Sequence, residues 1–232
     1  MRLFYRSFLI FTFGVIFVFP AAAQSGANEK ALITPEKRMS AIEQTREVVN
    51  QIIRQSFPEL NSEDVKIKSF YSRSNYFKAQ FSFSRYFTFR RMHSIIYVNP
   101  LVYERNVPKD GLRAIIAHEL AHAAFYLNRN RLKLIGLVRL AGAGYTRDFE
   151  RGADMVAISR GFGEELIIYR RWLYRNVPPE KVVKKERNYF TPDEIELLIP
   201  VLENQPSTLR NFYKRIPRNL TEVEASVKTV KK

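Results

Sequence analysis

Residues 114–125 read Ala-Ile-Ile-Ala-His-Glu-Leu-Ala-His-Ala-Ala-Phe. His118 and His122 stand four apart, a spacing that puts two helical side chains one turn apart on the same face. Both imidazoles can then reach one metal ion, and Glu119 projects beside it, placed to take a proton from a metal-bound water. Zn2+ suits this set, because it accepts neutral imidazole and becomes catalytic where one position is left to water. The chain has three histidines, and two of them are in this motif. The flanks (Ala114 to Ala117, Leu120, Ala121, Ala123 to Phe125) are apolar, so the helix is apolar on every side and reads as buried. A glutamate and two histidines are costly to bury unless a metal or a hydrogen-bond network compensates. The rival reading is a helix whose polar residues pair with Arg or Tyr neighbours.

Working outward, this helix is predicted over about 109–128. A second helix follows over 147–160, with Thr146 as N-cap and Gly161 as a left-handed stop. A third covers 163–175. Thr191-Pro192-Asp193-Glu194 reads as a capping box that opens a fourth. Between these, Pro178-Pro179 and the charged stretch to Arg187 read as a connector, and the last dozen residues as loosely held. Upstream, Thr34-Pro35-Glu36 gives an N-cap, a proline at the first helical position and an early acid. Ile42, Val49, Ile52 and Ile53 continue it as a helix over 35–56. Phe77, Ala79, Phe81 and Phe83 alternate with polar residues, Phe87 and Phe89 resume the alternation, and Ile95 to Val98 make a strand stopped by Asn99-Pro100. The pattern implies an α+β fold: a small antiparallel sheet of three or four strands followed by a mainly helical part.

The N-terminus carries a different signal. Arg2 and Arg6 precede an apolar run from Phe8 to Phe19, then Pro20 and Ala21-Ala22-Ala23 before Gln24. That run is short for a bilayer span and reads as a signal peptide over 1–23, with an uncleaved anchor as the alternative. The expected organisation is a signal peptide (1–23), an N-terminal leader and helix (24–64), a catalytic core (65–175) and a C-terminal helical extension (176–232). The expected location is periplasmic or secreted, in a bacterial envelope. With no cysteine in the chain, disulfides, a thiol nucleophile and cysteine-ligated zinc are excluded. The net charge of +15 becomes +13 once Arg2 and Arg6 leave with the signal peptide. Outside the cytosol, the acidic partners for such a chain are envelope or membrane surfaces, and no nucleic acid is expected.

A catalytic zinc needs a third protein ligand, and His93 lies upstream of the motif. Downstream, Phe149-Glu150-Arg151-Gly152-Ala153-Asp154 offers a better candidate. Here the sequence resembles the gluzincin metallopeptidases, the thermolysin-like zincins, over about residues 95–160. Its Glu-x-x-Ala-Asp form looks closer to their membrane-associated and stress-related branch than to thermolysin itself. The resemblance implies a zincin-like catalytic core in which Glu150 is the third zinc ligand. It also implies that Asp154 hydrogen-bonds a ligand histidine, His118, and fixes its tautomer. The histidine and glycine that metzincins carry soon after the motif are absent from Asn128 to Lys133. The resemblance further implies that Met92 to Val98 is an edge strand to which an extended peptide adds.

The expected function is therefore an exported zinc metallopeptidase, with Glu119 as general base and His118, His122 and Glu150 as ligands. Its substrate would be a peptide or protein. Tyr145, Tyr169, Arg170, Tyr189 and His93 all remain candidates to stabilise the oxyanion. Two alternatives stay open: a non-catalytic, zinc-stabilised envelope protein that binds anionic surfaces, and a zinc amidohydrolase acting on a non-peptide amide.

Overall fold

Helix α1 (Pro35–Ser56) starts where its cap demands, with the Thr34 hydroxyl accepting from the Lys37 amide and Pro35 in the first turn. Its apolar face buries Ala41, Val49, Ile52 and Ile53. A computed structural model describes residues 33–82, 92–127 and 143–230. The predicted signal peptide and the Phe87-Phe89 strand lie outside these residues. Most of the described chain is helical, around a three-stranded sheet.

The strands are β1 (Val65–Ser69), β2 (Phe77–Phe81) and β3 (Ser94–Val98), in the order β1-β3-β2. Strands β2 and β3 are antiparallel, with Ala79 opposite Ile96, whereas β1 runs parallel to β3, with Ile67 opposite Ile96. The expected all-antiparallel sheet is thereby corrected to a mixed one. The cause is the crossover over residues 70–76, which carries the chain past the end of β3 across two strand spacings, about 10 Å. Asn99 holds that crossover. Its amide side chain donates to the Ser72 and Asn75 carbonyls at 2.5 and 3.1 Å, and its backbone N–H donates to the Tyr76 carbonyl at 2.8 Å. Consequently β3, expected at the edge, is the central strand, and β2 is an edge strand among the described residues. Period-two alternation shows which side chains share a face, not which strands are neighbours.

The buried face of β3 (Ser94, Ile96, Val98) looks toward the helices. Against the sheet lie α1 and α3 (Lys109–Leu127), with the short α2 (Leu101–Glu104) leading into the latter. Helix α3 packs most extensively against α5 (Gly163–Asn176). A Cβ on Gly111 would stand 3.1 Å from the Tyr169 Cα, so glycine permits this close approach. Helix α4 (Ala143–Ala157) also crosses α3 and runs into α5 through a π-type turn at Ile158–Phe162. There Gly161 takes φ of 84°, the left-handed position predicted for it.

Two segments are more ordered than their sequence implies. The expected connector 178–187 is a helix, α6 (Pro179–Asn188), with Pro179 at its start, Glu180 in its first turn and Lys185 and Arg187 in its last. Those charges suit the helix dipole, but the segment buries no residue fully, so no apolar stripe announces it. The C-terminal stretch forms α9 (Leu220–Val230) and buries Val223 and Val227, a spacing of four. Between them lie α7 (Pro192–Leu202), which has the predicted Thr191–Glu194 capping box, and the short α8 (Leu209–Lys214). No helix among the described residues is long and apolar enough to cross a membrane.

Candidate metal centre

His118 and His122 lie on one face of α3 and are 1% and 4% exposed. Glu150 reaches them from α4, its Oε2 3.1 Å from the Nε2 of each. The two Nε2 atoms are 3.2 Å apart. This is the triangle that a metal needs. Tetrahedral zinc with bonds of about 2.0–2.1 Å places its ligand atoms about 3.3 Å apart. The three atoms are also a chemically consistent donor set of two imidazole nitrogens and one carboxylate oxygen.

Asp154, one turn beyond Glu150 and fully buried, determines the polarity of the set. Its Oδ1 lies 2.7 Å from the His118 Nδ1 and accepts from Arg170 Nη2 at 2.6 Å; its Oδ2 accepts from the Phe190 amide at 3.0 Å. A proton on Nδ1 facing that carboxylate leaves Nε2 with a lone pair directed at Glu150 and His122. Two lone pairs and a carboxylate converging at about 3 Å are stable only around a proton or a cation. Burial works against a charged His118, but Asp154, Glu150 and Glu119 together push it up to about 10. Burial likewise opposes charge on Glu150 and Asp154, yet the histidines hold the first, and Arg170 and His118 the second, below the ordinary carboxylate range.

Glu119 is 4% exposed, and its Oε2 is buried without a hydrogen-bond partner. Burial raises its carboxyl above the usual value against the pull of His118 and His122, with Glu150 adding to the rise. A buried carboxylate oxygen with nothing to accept from is the place for a water or a proton in transit.

The surroundings of the two histidines differ. Phe149 stacks on His122, with centroids 4.3 Å apart, and Phe125 lies edge-on to Phe149 at 5.0 Å. The Tyr189 ring is 5.8 Å from His118.

Of the oxyanion candidates among the described residues, Tyr189 is the one whose ring stands beside a candidate ligand histidine. Arg170 is buried against Asp154 and the Phe190 carbonyl, Tyr169 packs beside Trp172 and Gly111, and His93 lies 3.5 Å from Asp64. The Tyr145 side chain lies outside the described residues. The roles of Arg170 as Asp154's partner and of Phe149 as the platform for His122 were not foreseen. For Arg170 a signal existed: it falls between Leu166 and Leu173 on the apolar stripe of α5, where an arginine needs a buried acid. No protein-family model, curated protein or solved structure matches this chain.

Proposed function

We propose that the chain is an exported zinc metallopeptidase with a zincin-like core. The observation that carries this reading is the 3.1–3.2 Å triangle of His118 Nε2, His122 Nε2 and Glu150 Oε2, with the unpartnered Glu119 Oε2 beside it. Zn2+ bound there would supply a Lewis acid, acidifying a water and polarising a carbonyl. Glu119 takes the proton at Oε2 and returns it to the leaving amine. Burial tunes it for both steps by bringing its carboxyl nearer to neutrality. Asp154 keeps the His118 proton on Nδ1, so that Nε2 stays a donor of its lone pair.

A peptide rather than another amide is favoured by β2, an edge strand among the described residues that packs on α3. An extended chain can add to such an edge through main-chain hydrogen bonds. The signal peptide at 1–23 and an anionic envelope surface as partner belong to the same proposal, supported by the leader pattern and the +13 charge of the mature chain.

The test is Glu119→Gln. Metal content measured by atomic emission should stay at the wild-type level, while cleavage of a mixed peptide library falls by at least about 100-fold. Undiminished cleavage in that variant would end the proposal.

A further inference from the structure

Lys185 is the one cation beside the candidate centre without a carboxylate of its own among the described residues. The buried Arg151 and Arg170 each have one, Glu194 at 3.0 Å and Asp154 at 2.6 Å. Lys185 lies half-buried on α6. Its Nζ donates to the amide oxygen of Asn75, in the crossover loop, at 2.7 Å and stands 5.3 Å from the Tyr189 ring centroid. Since that ring is 5.8 Å from His118, the ammonium sits one aromatic ring away from the ligand set. Glu119 and Glu150 both feel its charge. Of its three N–H donors, one is used by a neutral acceptor.

A half-buried ammonium near the site, held by a neutral amide through one of its three N–H donors, is placed to take an anion from outside the chain. Neither acid of the centre serves that purpose. Glu150 is turned to the histidines, and the Glu119 oxygen that lacks a partner is buried. Burial holds the ammonium down to about 8, with Arg170 adding to the fall and Glu150 and Glu119 opposing it. A bound anion would relieve that strain. Beside His122 the neighbours are the Phe149 and Phe125 rings, which carry no charge.

We propose that Lys185, steadied by Asn75, is a carboxylate-binding subsite beside the candidate metal centre, so that the preferred substrates carry a carboxylate close to the bond attacked. The inference rests on the metallopeptidase reading for its substrate class. The carboxylate has two sources, a free C-terminus and an Asp or Glu side chain.

The experiment uses the full-length, zinc-loaded Glu119→Gln protein, so that binding is read without turnover. An N-acetylated hexapeptide of Ala with one Phe is titrated calorimetrically as its free acid and as its amide. Two more amides carry Asp or Asn immediately after the Phe. The expected result is at least about tenfold tighter binding of the free acid over the amide, of Asp over Asn, or of both. The pair that shows the difference identifies the source. Lys185→Met should erase the preference while leaving the uncharged peptides within about twofold. Asn75→Asp, which gives Nζ a carboxylate inside the chain, should erase it with Lys185 intact. Equal binding of the charged and uncharged peptides overturns the subsite, as does a preference that survives Lys185→Met. Loss of all peptides alike in both variants also overturns it, because it assigns Lys185 to general architecture. If wild-type protein fails to cleave but the preference holds, the peptidase reading fails and the subsite stands.

Discussion

A single carboxylate oxygen of Asp154 faces both His118 Nδ1, at 2.7 Å, and Arg170 Nη2, at 2.6 Å, with all three residues buried. The carboxylate thus serves two cations or near-cations at once, and the two roles can be separated. Asp154→Asn keeps the shape but removes the charge, leaving Arg170 buried without an acid and the His118 tautomer unfixed. Zinc affinity should fall by about 10–100-fold, as measured by competition with a chromophoric chelator. The metal-free protein should lose about 3–5 kcal/mol in urea unfolding, because a charge is stranded in the interior. Arg170→Met alone would leave Asp154 with only His118 and the Phe190 amide, whereas Asp154→Asn combined with Arg170→Met should recover part of the stability and none of the metal affinity.

Zinc should stabilise the fold itself. The candidate ligand atoms of residues 118, 122 and 150 come from helices α3 and α4, so metal binding would tie the two together. At free zinc 100 times the dissociation constant, the expected gain is about 2.7 kcal/mol. It should appear as a rise in Tm that a chelator reverses. His122→Ala and Glu150→Ala should melt at the same temperature with and without zinc.

Glu194 works at two sites in the same way. Its Oε1 accepts from the buried Arg151 Nη1 at 3.0 Å and its Oε2 from the Thr191 amide at 2.8 Å. Thr191→Ala should cost about 1 kcal/mol, the ordinary worth of a helix cap. Glu194→Leu removes the acid from Arg151 as well and should cost about 3–5 kcal/mol. Two equal losses in urea unfolding would show that the cap contributes more than the ion pair.

How much of this was readable in advance varies with the range of the interaction. His118 and His122 were legible because a spacing of four is a local fact of helix geometry, and α1, α3 and the Thr191 box were legible from caps and periodicity. Glu150 and Asp154 came from a family resemblance, and no spacing alone would have joined them to α3. The parallel pairing of β1 with β3 was hidden because it depends on where residues 70–76 carry the chain. Helix α6 and Lys185 were hidden in a run of charge. Lys184 and Lys185 look alike in the sequence, and only the packing of α6 turns one outward and brings the other to Asn75. Val223 and Val227 at the C-terminus carried a readable i, i+4 signal that surrounding Lys and Glu residues obscured.

Gly161 provides a test of backbone strain free of packing. It holds φ of 84° with no atom within 4 Å of where a Cβ would lie. Gly161→Ala should therefore cost about 1–2 kcal/mol from conformation alone. Gly161→Asn, which tolerates this region better, should cost less. Thermal or urea unfolding of the pair decides the matter, and equal losses would point to a different cause.

The last expectation concerns pH and rests on the sign of the Lys185 shift. Its ammonium is held down to about 8 from an ordinary value near 10.5, so it is charged below about pH 8 and neutral above. Peptide carboxylates are ionised throughout this range. The preference for acid over amide peptides should therefore be largest at low pH, be lost through a midpoint no higher than about 8, and fall by up to tenfold per unit beyond it. The charges acting on Lys185 are Glu150 and Glu119, which raise it, and Arg170 and Lys184, which lower it. In the zinc-loaded Glu119→Gln protein one raising charge is gone and a dication is added nearby, so the midpoint there lies lower still. Tyr189 does not titrate in this window, because burial and Glu150 hold its phenol well above 10. Lys185→Arg is the control, since guanidinium stays charged and its preference should persist to pH 9.5. A preference that fades at the same pH in both proteins would trace the titration to some group other than Lys185.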